Sequence, residues 1–389
     1  MSKELPKPTT VEDLTEWVKC NDKVLPVGNR TKAPLTRDPD CSLVSLSDLS
    51  GMIEYEPSEF TFTAWAGSRV SEIEGELNQR GQYLPFDPVL LHAGATLGGT
   101  IASGLSGPGR FRFGGVRDFL IGIQWLDGQG RLIRGGGKVV KNAAGFDFPK
   151  FMVGSLGRYG ILVEVTFKVF PRPMGSLTWG VPFSDHAAAM NAIADIASSR
   201  LEVDALDYRP DRCQLAIRLA GPSEVLPDLL GELRDRYPDG QRWDESEAHA
   251  YWTAVKEFQW SDFKKPTMVK VPMNLSSFLK LEGELLDNAA CQVHLSVGGN
   301  IAWVAVDHAS HLDWLSDLLL AQGLSGLVVS SGLDGSSDLG RDEVVSDQDG
   351  HLGVSSGVVE QWRIGHWPRS QMQQAVKAAM DPLSKFPGV

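Results

Sequence analysis

Cysteine is scarce in this chain, and positive charge is in deficit. The four cysteines, at 20, 41, 213 and 291, lie far apart and form no C-x-x-C pair. That excludes a zinc knuckle, an iron–sulfur ligand set and a disulfide framework, and fits a reducing compartment. Lysine and arginine number 37 against 49 aspartates and glutamates, a formal net charge of −12. A field of that sign repels phosphate backbones and anionic lipid heads, so neither nucleic acid nor a membrane surface is the expected partner. The one basic cluster, Arg110, Arg112 and Arg117, falls in a glycine-rich stretch. No segment approaches the roughly 18–20 apolar residues of a membrane span, and the opening MSKELPKPTTVEDLTEW has no apolar signal region. A soluble, cytoplasmic protein with no membrane span is the expectation.

Several phosphate-binding motifs are also missing. The nearest approaches to G-x-G-x-x-G start at Gly107, Gly128 and Gly135, and carry Arg112, Ile133 and Val140 where the last glycine belongs. The one Gly-Lys pair, Gly137-Lys138, has Leu132 in place of the first P-loop glycine and Val139 in place of Ser or Thr. A Rossmann site is disfavoured and a Walker-type triphosphatase is excluded. Gly353-Val354-Ser355-Ser356-Gly357 matches G-x-S-x-G, but polar turn residues 348–351 precede it where a nucleophile elbow needs an apolar strand.

Glycine is what the chain does have, in one place. Of 41 glycines, 18 fall among the 67 residues from Gly94 to Gly160, about 27%, against about 7% in ordinary proteins. Apolar runs at 119–126 and 161–170 interrupt the segment, so it reads as short strands joined by loops that let a backbone approach a ligand closely. Upstream, the pattern predicts strands over 24–27, 43–46 and 60–66 and a helix over 70–80 closed by Gly81. The prolines of 171–176 mark a domain boundary.

The remainder is close to an internal repeat. Strand 177–183, helix 185–199, strands 203–208 and 214–219 and helix 224–237 are followed by strand 268–273, helix 277–286, strands 293–297 and 302–306, helix 311–321 and strand 327–330. The order β-α-β-β-α-β twice over predicts two ferredoxin-like halves, an antiparallel sheet with helices on one face. Residues 331–350 read as a polar, mobile loop, and 369–380 as an amphipathic helix.

Four loops carry a resemblance. Pro26-Val27-Gly28-Asn29-Arg30-Thr31-Lys32 resembles the pyrophosphate loop of the FAD-binding fold shared by vanillyl-alcohol oxidase and p-cresol methylhydroxylase. The segment from Thr96 to Gly104 (TLGGTIASG) is similar to that family's second loop, Phe113 to Phe119 (FGGVRDF) to its third, and Gly154 to Glu164 (GSLGRYGILVE) to its closing glycine turn and strand. Residues 136–147 (GGKVVKNAAGFD) running into 152–155 narrow the likeness to the FAD-binding E subunits of glycolate oxidases. The similarity covers about 24–173 and returns at 297–303, at Asp381-Pro382 and at Pro387-Gly388.

The resemblance implies an α+β fold in three parts. These are a two-part FAD-binding domain of the p-cresol methylhydroxylase type (1–172), an α+β cap or docking domain (173–365), and a C-terminal segment (366–389) returning to the first. It assigns contacts with non-covalent FAD to Pro26, Val27, Gly28, Asn29, Arg30, Thr31, Lys32, Pro88, Gly94, Thr96, Leu97, Gly98, Gly99, Thr100, Ala102, Ser103 and Gly104. It assigns further contacts to Gly114, Val116, Arg117, Asp118, Asn142, Gly145, Gly157, Gly160, Ile161 and Leu162. The physics agrees, because successive backbone N–H groups hold two phosphate charges without lysines where glycines remove the obstructing Cβ atoms. Covalent attachment through His92, just before the second loop, is the alternative mode.

The implied function is that of the FAD-binding subunit of a glycolate oxidase or dehydrogenase, oxidising a small 2-hydroxy acid to the oxo acid. It would work with a catalytic flavoprotein subunit and an iron–sulfur subunit. The catalytic relatives' E-H-G-I-G histidine run is absent from this chain. His308 and His311 beside Asp307 suit a helix N-terminus better than a metal site, and no metal is expected. His294, in HLSVGGN, resembles part of the relatives' H-x-G-D-G-N-x-H element without its aspartate or second histidine. On an alternating strand it shares a face with Gln292 and Ser296, which makes it a weak catalytic candidate beside an ordinary half-buried histidine. Eight of the eleven tryptophans follow Phe170, and core packing is their expected role. Two alternatives stay open: a self-sufficient FAD-dependent 2-hydroxy acid or alcohol dehydrogenase whose base is His294 or Tyr208, and a scaffold whose FAD is structural.

Overall fold

Residues 161–168, ILVEVTFK, are buried at every position except Glu164 and Lys168, as a strand covered on both faces must be. This strand is the centre of a five-stranded antiparallel sheet ordered Met52–Glu56, Thr61–Trp65, Ile161–Lys168, Leu120–Leu126, Leu132–Gly136. The computed structural model describes residues 5–36, 38, 40–137, 146–331, 344–346, 352–354, 362–368 and 370–389. On one side of the sheet Ile161 and Val163 pack with Leu14, Val18, Val24 and Val44. On the other, Leu162, Val165 and Phe167 join Phe62, Leu97 and Ile101. A small parallel pair, Val24–Val27 with Ser42–Ser45, stands beside it. The expected 70–80 helix stops at Asn78; Gly81, with φ +64°, closes a turn in which its N–H donates to the Asn78 carbonyl at 3.0 Å.

The second half forms a nine-stranded sheet in which the repeat is visible as topology. Its order is Gln241–Arg242, Gly175–Pro182, Gln214–Gly221, Ala205–Arg209, Cys291–Ser296, Ile301–Val306, Thr267–Pro272, Ser325–Ser330, Arg363–Gly365. Numbering the strands within each half gives 4-1-3-2 followed by 2-3-1-4, two ferredoxin-like units meeting at their second strands through Tyr208 and Leu295. Helices His186–Ser198, Leu226–Arg236, Leu275–Leu286 and Leu312–Ala321 contribute to a single core with Leu206, Leu215, Val269 and Val304.

The opposite face explains why Ile301–Val306 is buried at all six positions. Ala302, Val304 and Val306 face the helices, while Trp303 and Ala305, with Met268 and Val329, pack into the same core as Phe62 and Phe167 of the first sheet. Strand alternation divides each side chain between two neighbours. The halves are further joined where Arg218 pairs with Asp87 and Asp204. The buried Glu257 carboxylate also accepts from the backbone N–H groups of His92 at 3.0 Å and Ala93 at 3.2 Å.

Among the elements not anticipated are the helices Val11–Cys20 and Glu245–Lys256, the strand Met52–Glu56, and the edge strands Gln241–Arg242 and Arg363–Gly365. Of the expected 331–350 loop, the described backbone is Ser331 and residues Val344–Ser346, which pair with Leu352–Val354; the rest lies outside the described residues, as does most of the G-x-S-x-G run. The terminal helix Gln371–Met380, capped by Ser370, leads to Asp381 and Phe386. Phe386 packs with Leu14 and Val24, and Lys385 Nζ donates to the Asn21 carbonyl at 2.6 Å.

Candidate cofactor site

Three of the four glycine-rich loops meet along one cleft. Its walls are residues 26–32 after the Val24–Val27 strand, the Leu97–Ser103 helix with its cap Thr96, and the turn 155–160 ending on Leu162. Counting its solvent-open mouth, the space between these walls is about 740 Å³. Close approach of the first two walls depends on glycine. A Cβ on Gly28 would lie 2.3 Å from Thr96 Oγ1, and one on Gly98 would lie 2.9 Å from the Ala66 carbonyl oxygen.

The first loop carries unmet hydrogen-bond donors. Among the described residues, the backbone N–H groups of Asn29, Arg30, Thr31 and Lys32 donate to no backbone or side-chain acceptor. Arg30 Nε is buried and unpartnered, and Arg30 itself holds a left-handed φ of +55°. Lys32 is 6% exposed, and its Nζ reaches only Thr31 Oγ1, at 3.1 Å. Burial pushes this lysine down to about 8, partly offset by Glu257. A buried donor such as Arg30 Nε is costly to leave without an acceptor. A run of free backbone N–H groups lining a cleft beside two cations suits a multiply charged anion.

Residue periodicity decides which sequence candidates line the cleft. Pro26, Val27, Gly28, Asn29, Arg30, Thr31, Lys32, Thr96, Gly98, Gly99, Ala102, Ser103, Gly157, Gly160 and Leu162 all do. Leu97, Thr100 and Gly104 do not line it: they follow the helix face turned to the interior, where Leu97 is fully buried and Gly104 abuts Gly154. Ile161 likewise points to the opposite side of its strand from Leu162. Gly94 stands behind the loop, its carbonyl accepting from Asn29 Nδ2 at 2.8 Å. Pro88 is buried outside the lining.

The third loop is used differently from the expectation. Gly114, Val116, Arg117 and Asp118 are not in the lining; Asp118 accepts from Gly115 N–H at 2.9 Å and Ser106 Oγ from Val116 N–H at 3.0 Å, closing a tight turn. Arg117 is exposed. Asn142 and Gly145 lie outside the described residues. Leu35, Thr36, Leu46, Ala66, Ser155 and Leu156 complete the lining. The last two sit inside the quoted glycine turn, whereas the others carry no local signal.

The proposed bases are not at the cleft. His294 is fully buried, with Nε2 2.8 Å from Asp207 Oδ2, and its ring lies against Trp260 at 5.4 Å and Tyr251 at 6.1 Å. Tyr208 faces the helix side; its hydroxyl meets His186 Nδ1 at 2.8 Å, and burial pushes its pKa upward. The His92 side chain is 65% exposed and outside the lining. His308 caps the short helix Ala309–His311 and His311 binds Asp307 at 2.6 Å. Among the described residues, no three His, Cys, Asp or Glu side chains gather as a metal site.

Comparison with known proteins agrees with this geometry. Residues 5–136 match the FAD binding domain family. The glycolate oxidase subunit GlcE of Escherichia coli (strain K12) is 31% identical over 299 residues, 76% of this chain and 79% of the relative. The chain belongs to the GlcE family. It is also similar to glycolate oxidase subunit GlcD of Bacillus subtilis (strain 168), 28% identical over 41% of this chain and 34% of that one. A D-lactate dehydrogenase of Archaeoglobus fulgidus is 26% identical over 53% and 47% respectively. Among solved structures, an alkyldihydroxyacetonephosphate synthase superposes with a TM-score of 0.63 at 16% identity, covering 83% of this chain and 71% of that one; that likeness is of fold. With its two ferredoxin-like units behind an FAD binding domain, the chain has the expected fold. No described helix is long and apolar enough to cross a membrane.

Proposed function

We propose that this chain is the FAD-binding subunit of a glycolate oxidase or dehydrogenase complex, and takes part in converting glycolate to glyoxylate with electrons passed to a partner. The observation that carries this reading is the run of unpaired amides at residues 29–32 in a glycine-walled cleft. FAD carries two phosphate charges, and four N–H groups with Arg30 and Lys32 meet them in a chain that is acidic overall.

When bound, FAD supplies the two-electron acceptor for oxidation of an alcohol carbon. The protein's own part is to hold and orient it. The amides of 29–32 take the pyrophosphate, Gly28 and Gly98 let the walls close, and Leu156 and Leu162 offer an apolar flank that excludes water. The residues of 26–32, 96–104 and 154–162 that line the cleft are the contacts assigned in this reading, on an FAD domain of 1–172 beside a cap or docking unit of 173–365. The four cysteines are free and separate, so electrons leaving the flavin need a partner. That partner is a catalytic flavoprotein subunit together with an iron–sulfur subunit, in the cytoplasm.

Co-expression with those subunits is the test. A complex that reduces dye with glycolate, and loses that activity when this chain is omitted, is the expected outcome; activity indifferent to the omission overturns the reading.

A further inference from the structure

Glu257 is badly placed for the helix that carries it. It is the C-terminal cap of Glu245–Lys256, the end at which the helix dipole disfavours a negative charge. It is also buried, at 7% exposure, where a carboxylate is costly unless its oxygens are satisfied. Among the described residues the only cation within ion-pair distance is His92, with Nδ1 at 3.9 Å on a side chain that is 65% exposed. What satisfies the acid is backbone of the first half. One oxygen accepts from the N–H of His92 at 3.0 Å, the other from the N–H of Ala93 at 3.2 Å.

The turn so clasped spans residues 90–95. It is closed internally by the Ala95 N–H on the Leu90 carbonyl at 2.9 Å and the Gly94 N–H on the Leu91 carbonyl at 3.1 Å. Its first N–H, that of Leu90, donates to the Lys256 carbonyl at 2.9 Å. Three N–H groups of the turn therefore end on residues 256 and 257. Leu90 itself holds a left-handed φ of +59°, which a leucine keeps only where its surroundings impose it.

One hydrogen bond carries this clasp into the cleft. The Gly94 carbonyl, next after Ala93, accepts from Asn29 Nδ2 at 2.8 Å, and Asn29 lines the cleft as the first residue of the free-amide run 29–32. The same turn leads directly into Thr96, the cap of the facing helix, whose Oγ1 accepts from the Gly99 N–H at 3.2 Å. Donors that must meet an anion together lose affinity when their spacing is left free. Burial lowers the pKa of Lys32, and the Glu257 charge opposes that effect, so the acid also favours the charged lysine of this loop.

We propose that Glu257 is a positioning residue for the cofactor: it fixes the 90–95 turn and, through the Gly94–Asn29 hydrogen bond, the register of the amides that receive the pyrophosphate. This rests on the reading of the cleft as the FAD site. Glu257 does not line the cleft, so the second half contributes to cofactor affinity through backbone it holds in the first. Gln in its place keeps the shape and one acceptor oxygen, but turns an NH₂ group toward the other amide, donor against donor.

Two measurements on the purified full chain test this: FAD titration followed by flavin fluorescence, and hydrogen exchange of the 90–95 segment before FAD is added. Glu257→Ala should raise the Kd for FAD about tenfold or more, the scale of one hydrogen bond to a charged group, and Glu257→Gln should recover part of that loss. Both should speed exchange at the amides of 92 and 93. Asn29→Ala should also weaken FAD, and the double variant with Glu257→Gln should be little worse than the weaker single variant, because both act through one turn. Destabilising the second half elsewhere, with His294→Ala, should leave the Kd within twofold, which separates positioning from general loss of stability. Asn29 is exposed, so if the Glu257 variants fold poorly, Asn29→Ala binding FAD within twofold of wild type still overturns the proposal. Glu257→Gln within twofold of wild type, or a fully additive double variant, overturns it too and leaves the function standing. A wild-type chain that binds no FAD overturns both.

Discussion

His294 Nε2 and Asp207 Oδ2 lie 2.8 Å apart with both side chains fully buried. The other Asp207 oxygen accepts from Ser296 Oγ at 2.8 Å and from Val297 N–H at 3.2 Å. A carboxylate so completely used, joining the second strands of the two ferredoxin-like units, is a fastener and not a base. Replacing His294 with Ala leaves a buried acceptor without its main partner, at a cost of about 3 kcal/mol or more. Chemical denaturation of His294→Ala should show that loss while flavin per folded chain stays at the wild-type level. A variant of full stability that fails only in glycolate turnover would return His294 to the chemistry.

Lys32 makes flavin affinity depend on pH in a defined direction. Its folded pKa of about 8 lies below the roughly 10.4 of an unfolded chain. Between those values the unfolded state binds more protons, so this group makes the flavin-free protein more stable as pH rises from 8 to 10. Phosphates beside Lys32 hold the proton on, so binding above pH 8 takes one up, and FAD affinity should fall toward pH 10. Lys32→Met should bind FAD about tenfold or more weakly at pH 7, the scale of one charge-assisted hydrogen bond, and its affinity should change less above pH 8. Fluorescence titration of the flavin at several pH values measures both; an unchanged slope in the variant contradicts the assignment.

Gly98 closes the cleft wall against Ala66. Because a Cβ there would stand 2.9 Å from the Ala66 carbonyl oxygen and 3.0 Å from the Ala66 Cβ, Gly98→Val should displace the Leu97–Ser103 helix, costing about 1–3 kcal/mol. Retained FAD should drop well below one per chain. Full occupancy with native stability would show that the wall does not need to be this close.

The C-terminal segment is held by one buried acid. Asp381, 2% exposed, accepts from Lys377 Nζ at 2.7 Å and from the N–H groups of Lys385 and Phe386, both at 2.9 Å. Asp381→Ala should free residues 382–389 for limited proteolysis and lower stability by about 3 kcal/mol or more. Cleavage no faster than in the wild type would place the anchorage elsewhere, in Phe386.

How much was legible in the sequence follows from where each constraint acts. The loops at 26–32, 96–104 and 154–162 were readable because close backbone approach requires glycine itself, and the helix and strand periods then separated Gly98 and Leu162 from Leu97 and Ile161. The ferredoxin-like repeat was readable as a repeated order of elements, while the two-residue strand Gln241–Arg242 is too short to carry a period. The third loop lies outside the cleft lining, and its glycines serve a turn closed by Asp118. For His294, alternation correctly put it with Gln292 and Ser296, but what covers that face is the distant Tyr251 and Trp260.

The most direct measurement is the visible spectrum of the purified full chain, with the released cofactor identified and counted after denaturation. The account predicts a flavin band from close to one FAD per chain, released without covalent attachment and lost in step with substitutions at Gly98 and Lys32. A chain that carries no flavin, and gains none when FAD is added, would contradict it.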